Sequence, residues 1–522
     1  MSWNWRAVSR WVAAGAAVTL VSFAAAEGLL RAAYAIRNSM ADYVPLPYVI
    51  GHDYGPVPPW LKPLLILAPD ETLMWKNRPN LSRRYLDVFQ PAPSEQERLA
   101  LLRRFLPRLP DSVSRSAAWE ITLNSEGYRG RERGASGRGP AVRIVCLGDS
   151  WTFGMNVSEQ QAYPRRLEDL LREKFPGNDF EVLNRGVLGY SSYQGLQLLR
   201  SRLAEWKPDV AVIGFAMNDS KSSVHRDKDM AQGAESRGLG ARMESLLEAS
   251  EVYRLLHYSA LVLKHNPNSI GEHLEAEVDD HSEPADYSKP WVRVPLGDYQ
   301  ANTGEMIRLL REAGTEALLV YNEFWENSPY RSSLQRISAE QKVPLVDSSS
   351  ILRRGRNQME TDLERSLDLG SCEGEAEVVF RVYMGKAPVP RAVYIVAPHP
   401  KLGDLTPNKV AMRDDGTRGD QRVGDSVWSY AASLPPGSRL PYVYTNSGGE
   451  GKWEGLDVPH LRELEVAAGA AGKRVCRPID SFGEVYMQAD SWHPNASGYE
   501  LIARGVAEAI LQTSTITNRR RR

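Results

Sequence analysis

Cysteine is scarce in this sequence: only Cys146, Cys372 and Cys476 occur in 522 residues. That excludes a small scaffold held by a dense disulfide framework. No Cys/His group has the spacing of a zinc site, so no metal is expected, and no motif calls for another cofactor. Charge of one sign is lacking too. Lys and Arg number 64, Asp and Glu 65, for a formal net charge of −1. Nothing therefore draws the whole chain to nucleic acid or to an anionic surface. What is present is an ordinary globular balance, 42% hydrophobic and 25% charged, enough to bury sizeable cores. The length suggests about three domain-sized units.

The N-terminus decides the compartment. Arg6 and Arg10 precede an uncharged run from Trp11 to Ala26, and apolar residues resume past Glu27 and Arg31 as far as Ile36. The uncharged run alone is shorter than the roughly 20 apolar residues of a span. Glu27 and Arg31 are four apart, so on a helix they can pair at the interfacial end. Ala24-Ala25-Ala26 also reads as a small-residue cleavage site. Two readings follow for residues 1–37: an uncleaved anchor with its N-terminus inside, or a cleaved signal. Both put the rest of the chain in the periplasm or outside the cell, and the anchor is favoured. A buried core helix is disfavoured, because the run is terminal and has no polar face.

Residues 38–140 carry many prolines and arginines and little periodicity. They read as an extended approach segment with a few short elements, ending in a Gly-rich charged linker from Arg129 to Pro140. An α/β rhythm then begins. Strands are expected at Ala141–Leu147, Phe180–Leu183, Asp209–Phe215, Ala317–Tyr321 and Val343–Val346. Helices are expected at Ala162–Phe175, Tyr193–Trp206, Tyr299–Leu310 and Leu334–Gln341. Such alternation implies a parallel sheet covered on both faces, with any site at the carboxyl ends of its strands. A polar stretch before Tyr299 is too long for an ordinary loop and reads as a lid, with a helix over Met243–Leu263.

From about Cys372 to His460 the texture becomes all-β. Alternating runs at Glu377–Tyr383, Arg391–Val396, Ser426–Ala432 and Leu440–Tyr444 are separated by Gly/Pro/Asp turns. Helical texture returns at Leu461, and Ala496–Leu511 reads as the last helix of the α/β domain. The expected division is 141–370 and 462–515 for an α/β domain, with a β-sandwich over 371–461 inserted between them and a basic tail over 516–522. Cys372 and Cys476 flank the insertion and can bridge its base in an oxidising compartment, though sequence alone cannot supply the geometry. Cys146, in the apolar run Ile144–Leu147, reads as a buried thiol.

Four short segments carry chemistry. Gly148-Asp149-Ser150-Trp151-Thr152 follows the first strand and exposes a serine at a strand-to-helix turn. Its plain alternative is an N-cap serine. Asn184-Arg185-Gly186-Val187-Leu188-Gly189-Tyr190-Ser191 follows the second strand and offers a glycine amide, or merely a turn. Gly214-Phe215-Ala216-Met217-Asn218-Asp219 ends the third strand with a side-chain amide, or an Asx turn. Asp490-Ser491-Trp492-His493-Pro494-Asn495 precedes the last helix and supplies a base with a carboxylate to orient it.

Together, and in this order, the segments resemble the SGNH (GDSL-type) hydrolase superfamily. The resemblance implies a flavodoxin-like three-layer α/β/α fold. It implies Ser150 as nucleophile, Asp490 and His493 as its partners, and an oxyanion hole from the amides of Ser150 and Gly189 and the side chain of Asn218. Gly186 competes with Gly189. The stretch Leu123-Asn124-Ser125-Glu126-Gly127-Tyr128-Arg129-Gly130 resembles a segment preceding the first block in membrane-anchored bacterial members. Ala216 replaces the usual glycine of the third block, where a methyl could narrow the hole. The implied function is an exported serine esterase on acetyl or short acyl esters, with an acylated polysaccharide as candidate partner, the membrane reached through the N-terminal helix, and no nucleic acid. An O-acyltransferase and a non-catalytic carbohydrate-binding or scaffold protein are the rival readings. Trp428, Trp453, Tyr442 and Tyr444 are either stacking aromatics for sugar or sandwich core. The acidic turns from Asp414 to Asp425 are either calcium ligands or turn chemistry.

Overall fold

The computed structural model describes residues 5–40, 67–70, 72–84, 120–134, 142–155, 157–176, 179–221, 226–228, 247, 250, 252–253, 255–256, 292–369, 377–385, 387, 389–447, 462–467, 474–483, 486 and 493–513. Helix α1 runs from Trp5 to Met40. Its apolar stretch Ala13–Ala33 is 21 residues long, with none of its apolar window buried. At 1.5 Å per residue that is about 31 Å, the thickness of a bilayer's hydrocarbon core. Arg31 Nε donates to Glu27 Oε1 at 2.8 Å, the pairing expected from the i,i+4 spacing.

Two antiparallel pairs follow: β1 (Leu67–Asp70) with β2 (Met74–Asn77), and β3 (Ser82–Arg84) with β4 (Glu120–Thr122). These are short elements of the kind expected in the approach segment. Leu67, Leu73, Trp75, Ile121 and Leu123 are buried in a core shared with the α/β sheet. These strands are three or four residues long, too short for a period to stand out among the prolines and arginines.

The main sheet has β5 (Val142–Gly148), β6 (Phe180–Gly186), β7 (Val210–Gly214), β8 (Glu316–Tyr321) and β9 (Leu345–Asp347). All are parallel, in the order β6-β5-β7-β8-β9. That is the flavodoxin-like arrangement, with its switch of direction at β5. Side chains alternate between the faces. Val145 and Leu147 enter one core with α4 (Ser192–Trp206), α5 (Leu296–Glu312) and α6 (Pro329–Gln341). Ile144 and Cys146 enter the other with α3 (Tyr163–Lys174) and α8 (Ala496–Leu511). The short α2 (Ser150–Phe153) lies directly after β5. The layers are thus α/β/α.

A 20-residue helix, α7 (Ser348–Leu367), follows β9 and was not expected. Its stretch of arginines, glutamates and serines conceals the few residues it buries, Leu352 and Arg356 among them. After it comes an all-β unit with strands β10 (Val378–Tyr383), β11 (Tyr394–Val396), β12 (Val410–Ala411), β13 (Val427–Ala432), β14 (Arg439–Thr445), β15 (Arg462–Glu465) and β16 (Val475–Ser481). They form sheets ordered β13-β10-β16 and β12-β11-β14-β15 around one apolar core. The expected return of helix at Leu461 is corrected: β15 and β16 carry the β unit on to Ser481. In β15, Arg462 and Leu464 are buried while Glu463 and Glu465 are exposed, a two-residue period masked by charge. Arg381 on β10 pairs with Glu364 on α7, joining the β unit to the α/β unit. Cys476 is disulfide-bonded, Cys146 is free and buried, and the expected partner Cys372 lies outside the described residues. So do most of Met243–Leu263 and the basic tail.

Helix α4 presses on β7 through Gly195, where an added Cβ would stand 2.2 Å from the Phe215 ring. Gly195→Ala is expected to destabilise the fold by about 1–3 kcal/mol by overpacking, read as a lower urea midpoint at unchanged slope.

Candidate active site

Strand β5 delivers Ser150 to the carboxyl end of the sheet. A Cβ on Gly148 would lie 2.1 Å from Thr152 Oγ1 and 2.6 Å from the Gly214 carbonyl oxygen, so the close approach of β7 and α2 requires glycine there. Asp149, not Ser150, caps α2: its Oδ1 accepts from the Trp151 amide at 2.9 Å. Ser150 is the first helical residue and only 9% exposed. His493 Nε2 lies 2.9 Å from Ser150 Oγ, across 343 positions of sequence. A hydroxyl and an imidazole at that distance can exchange a proton. Asp490 lies outside the described residues.

Gly189 has φ +75° in the loop between β6 and α4, a conformation that favours glycine. Among the described residues its amide donates to no acceptor, and neither does that of Ser150. The competing Gly186 amide is already engaged, donating to Asn184 Oδ1 at 2.9 Å. Among the described residues, Asn218 makes no local turn bond through its amide. Its Nδ2 donates to Tyr190 O at 3.1 Å and, more weakly, to Asp149 Oδ2 at 3.4 Å. Ala216 is part of the apolar core on the α4/α5 face.

Several residues around the site were not singled out in the sequence. Asn322, at the end of β8, donates to Gly214 O at 3.0 Å and Thr152 Oγ1 at 3.1 Å, bracing the turn that holds Ser150. Its place at a strand's carboxyl end was the available signal. Arg129, in the Leu123–Gly130 segment, is buried and donates to Gly154 O and Val157 O just after α2. Burial lowers its pKa to about 10. Trp75 Nε1 donates to Leu188 O at 2.9 Å, and Tyr190 OH returns a bond to Trp75 O at 2.7 Å. Arg293 grips Asp227 with two bonds, 3.1 and 2.8 Å, and donates to Gly189 O at 2.9 Å. No sequence spacing marks Trp75 or Arg293, which come from distant segments.

In the β unit, Tyr442 and Tyr444 are core residues whose hydroxyls donate to Asp480 Oδ2 at 2.9 and 2.6 Å. Trp428 is half-buried against the same core, and Trp453 lies outside the described residues. Asp414, Asp420 and Asp425 converge. Each accepts from turn amides: Asp414 from Gly424, Asp420 from Gly416 and Asp425 from Val427.

Residues 146–367 match the model of the GDSL-like Lipase/Acylhydrolase family. The α/β unit of this chain is therefore an SGNH (GDSL-type) hydrolase domain, and the protein is an enzyme of the ester-hydrolysing class. The match ends before His493, which only the fold brings to Ser150. Among solved structures the chain is similar to AlinE4, an SGNH-hydrolase family esterase, at 15% identity, covering 40% of this chain and 77% of that one with a TM-score of 0.23. It is similar to the psychrotrophic esterase EstA from Pseudoalteromonas sp. at 14% identity, 40% and 76% coverage and TM-score 0.23. A two-domain esterase active on acetylated mannans shares 18% identity over 40% of this chain and 38% of that one, with TM-score 0.24. No curated protein matches the chain.

Three buried carboxyls surround the site. Burial pushes Asp149 and Asp219 up to about 7 and Glu323 up to about 8. In the unfolded chain such groups titrate near 4. Between those values the native state holds protons that the unfolded chain has lost. Stability from these groups is therefore complete below about pH 4 and falls as pH rises toward 8. Glu323→Gln keeps an acceptor for the Phe324 amide. It is expected to flatten the fall in thermal midpoint between pH 5 and 8; a wild-type slope would show that Glu323 is not the protonated group.

Proposed function

We propose that the protein is a membrane-anchored, extracytoplasmic serine esterase that removes acetyl or other short acyl groups through an acyl-enzyme on Ser150. The observation that carries this reading is the 2.9 Å contact of His493 Nε2 with Ser150 Oγ. His493 takes the hydroxyl proton as Ser150 attacks the ester carbonyl. Asp490, three residues before it, is assigned to orient the imidazole and stabilise its charged form. The oxyanion takes hydrogen bonds from the Ser150 and Gly189 amides and from Asn218 Nδ2, whose 3.4 Å contact to Asp149 is the weaker of its two and the one to be exchanged. His493 then protonates the leaving alcohol, and water, deprotonated by the same imidazole, releases the acid.

A short acyl group fits a serine that is 9% exposed beside a loop backed by Trp75. The anchored, outward-facing topology rests on the unburied 21-residue apolar stretch of α1, with Arg10 preceding it. A surface polysaccharide is the proposed carrier of the ester, since it is the acylated polymer such a topology meets. Ser150 should react covalently with a fluorophosphonate, and His493→Ala should abolish the labelling. Folded wild-type protein that does not label would overturn the enzyme reading. Asn218→Ala is expected to lower kcat by on the order of 10²–10³ while leaving Ser150 in place. Product analysis with water and sugar competing for the acyl group separates hydrolysis from transfer: acylated sugar as the main product would replace the esterase with an O-acyltransferase.

A further inference from the structure

Gly189 is the weak point of the proposed oxyanion hole. Glycine can turn its flanking peptides with little steric resistance, so something else must aim the amide. The Gly189 N–H belongs to the same planar unit as the Leu188 carbonyl, and in a trans peptide the two point in opposite directions. Trp75 Nε1 donates to that carbonyl at 2.9 Å. Fixing Leu188 O on one side fixes the Gly189 N–H on the other. The next peptide plane is held separately, by Arg293 Nη1 on Gly189 O at 2.9 Å. Arg293 is itself immobilised by its two bonds to the fully buried Asp227, which also accepts from Ser191 Oγ at 2.5 Å. The two clamps touch, with the guanidinium carbon 5.7 Å from the Trp75 ring centre. The hairpin carrying Trp75 is tied down by Gln194 Nε2 on Leu73 O at 2.9 Å and by Asn77 Nδ2 on Gly186 O at 3.2 Å.

We infer that Trp75 and Arg293 are positioning residues that lock the two peptide planes of Gly189, so that the β1–β2 hairpin is a working part of the active site. The inference rests on the esterase reading and extends it to a residue outside the family match, which begins at 146.

Trp75→Phe removes one donor and keeps the ring that packs edge-on against Tyr190. The full-length protein is compared with this variant and with Arg293→Lys, which retains a cation beside Asp227. Readouts are kcat and KM on p-nitrophenyl acetate, the rate of fluorophosphonate labelling, and the thermal midpoint. Trp75→Phe is expected to lower kcat and the labelling rate by about tenfold or more, a fraction of the loss on removing a whole oxyanion donor. KM and thermal midpoint stay near wild type. Arg293→Lys should lower kcat and labelling as well, together with the thermal midpoint, because lysine cannot keep both bonds to the buried Asp227. Wild-type kcat and labelling in Trp75→Phe would overturn the inference, as would losses that merely follow the thermal midpoint in both variants. A Ser150→Ala protein that labels and turns over like wild type would instead bring down the esterase reading and this inference with it.

Discussion

The contact between Ser150 and His493 depends on the return of α8 to the α/β sheet after the β unit. Tyr499, Ile502, Ala503, Val506 and Ile510 of that helix are buried in the core shared with α3 and the strands. Each large apolar side chain so buried contributes about 1.5–3 kcal/mol, against about 0.5–1.5 kcal/mol for one hydrogen bond. Packing therefore places His493, and the hydrogen bond to Ser150 follows from the placement. The half-buried ion pair of Arg166 with Glu500 ties α3 to α8 as well. Asn495 sharpens the geometry by capping α8 two residues after His493, its Oδ1 accepting from the Gly498 amide at 3.0 Å.

The site is assembled from many parts of the chain on one rigid edge. Strand β5 carries Ser150, the loop after β6 carries Gly189, the end of β7 leads to Asn218, and the segment before α8 carries His493. Asn322, Arg129, Trp75 and Arg293 brace those pieces through backbone carbonyls. A carbonyl acceptor is available on any residue, so such bracing leaves no motif for a reader of the sequence. The buried carboxyls of Asp149, Asp219 and Glu323 lie under the same edge. They are tolerated because each accepts backbone N–H groups, but they tie stability to pH.

The strands and helices of the α/β unit were legible because their apolar periods run for several residues and end at glycines or turn residues. Ser150, Gly189 and Asn218 could be picked out as candidates because each follows a strand at its carboxyl end. Helix α7 was missed because charge conceals its narrow buried stripe, and β15 because two glutamates and an arginine occupy a four-residue strand. Tyr442 and Tyr444 had two readings in sequence, stacking platform or core. Their hydroxyls found Asp480, which lets a tyrosine be fully buried.

By itself the sequence determined the class of chemistry, the α/β rhythm, the apolar N-terminal helix and the identity of a serine and a histidine suited to each other. These are local properties, set by residue type and by periods of two and 3.6. Only the tertiary structure decided that Ser150 and His493 meet, that among the described residues the amide of Gly186 is engaged while that of Gly189 is not, and that a hairpin at Trp75 stands behind it. Those facts depend on which surfaces pack together over separations as large as 343 positions, and packing partners are chosen by shape and burial, which no short window of sequence contains.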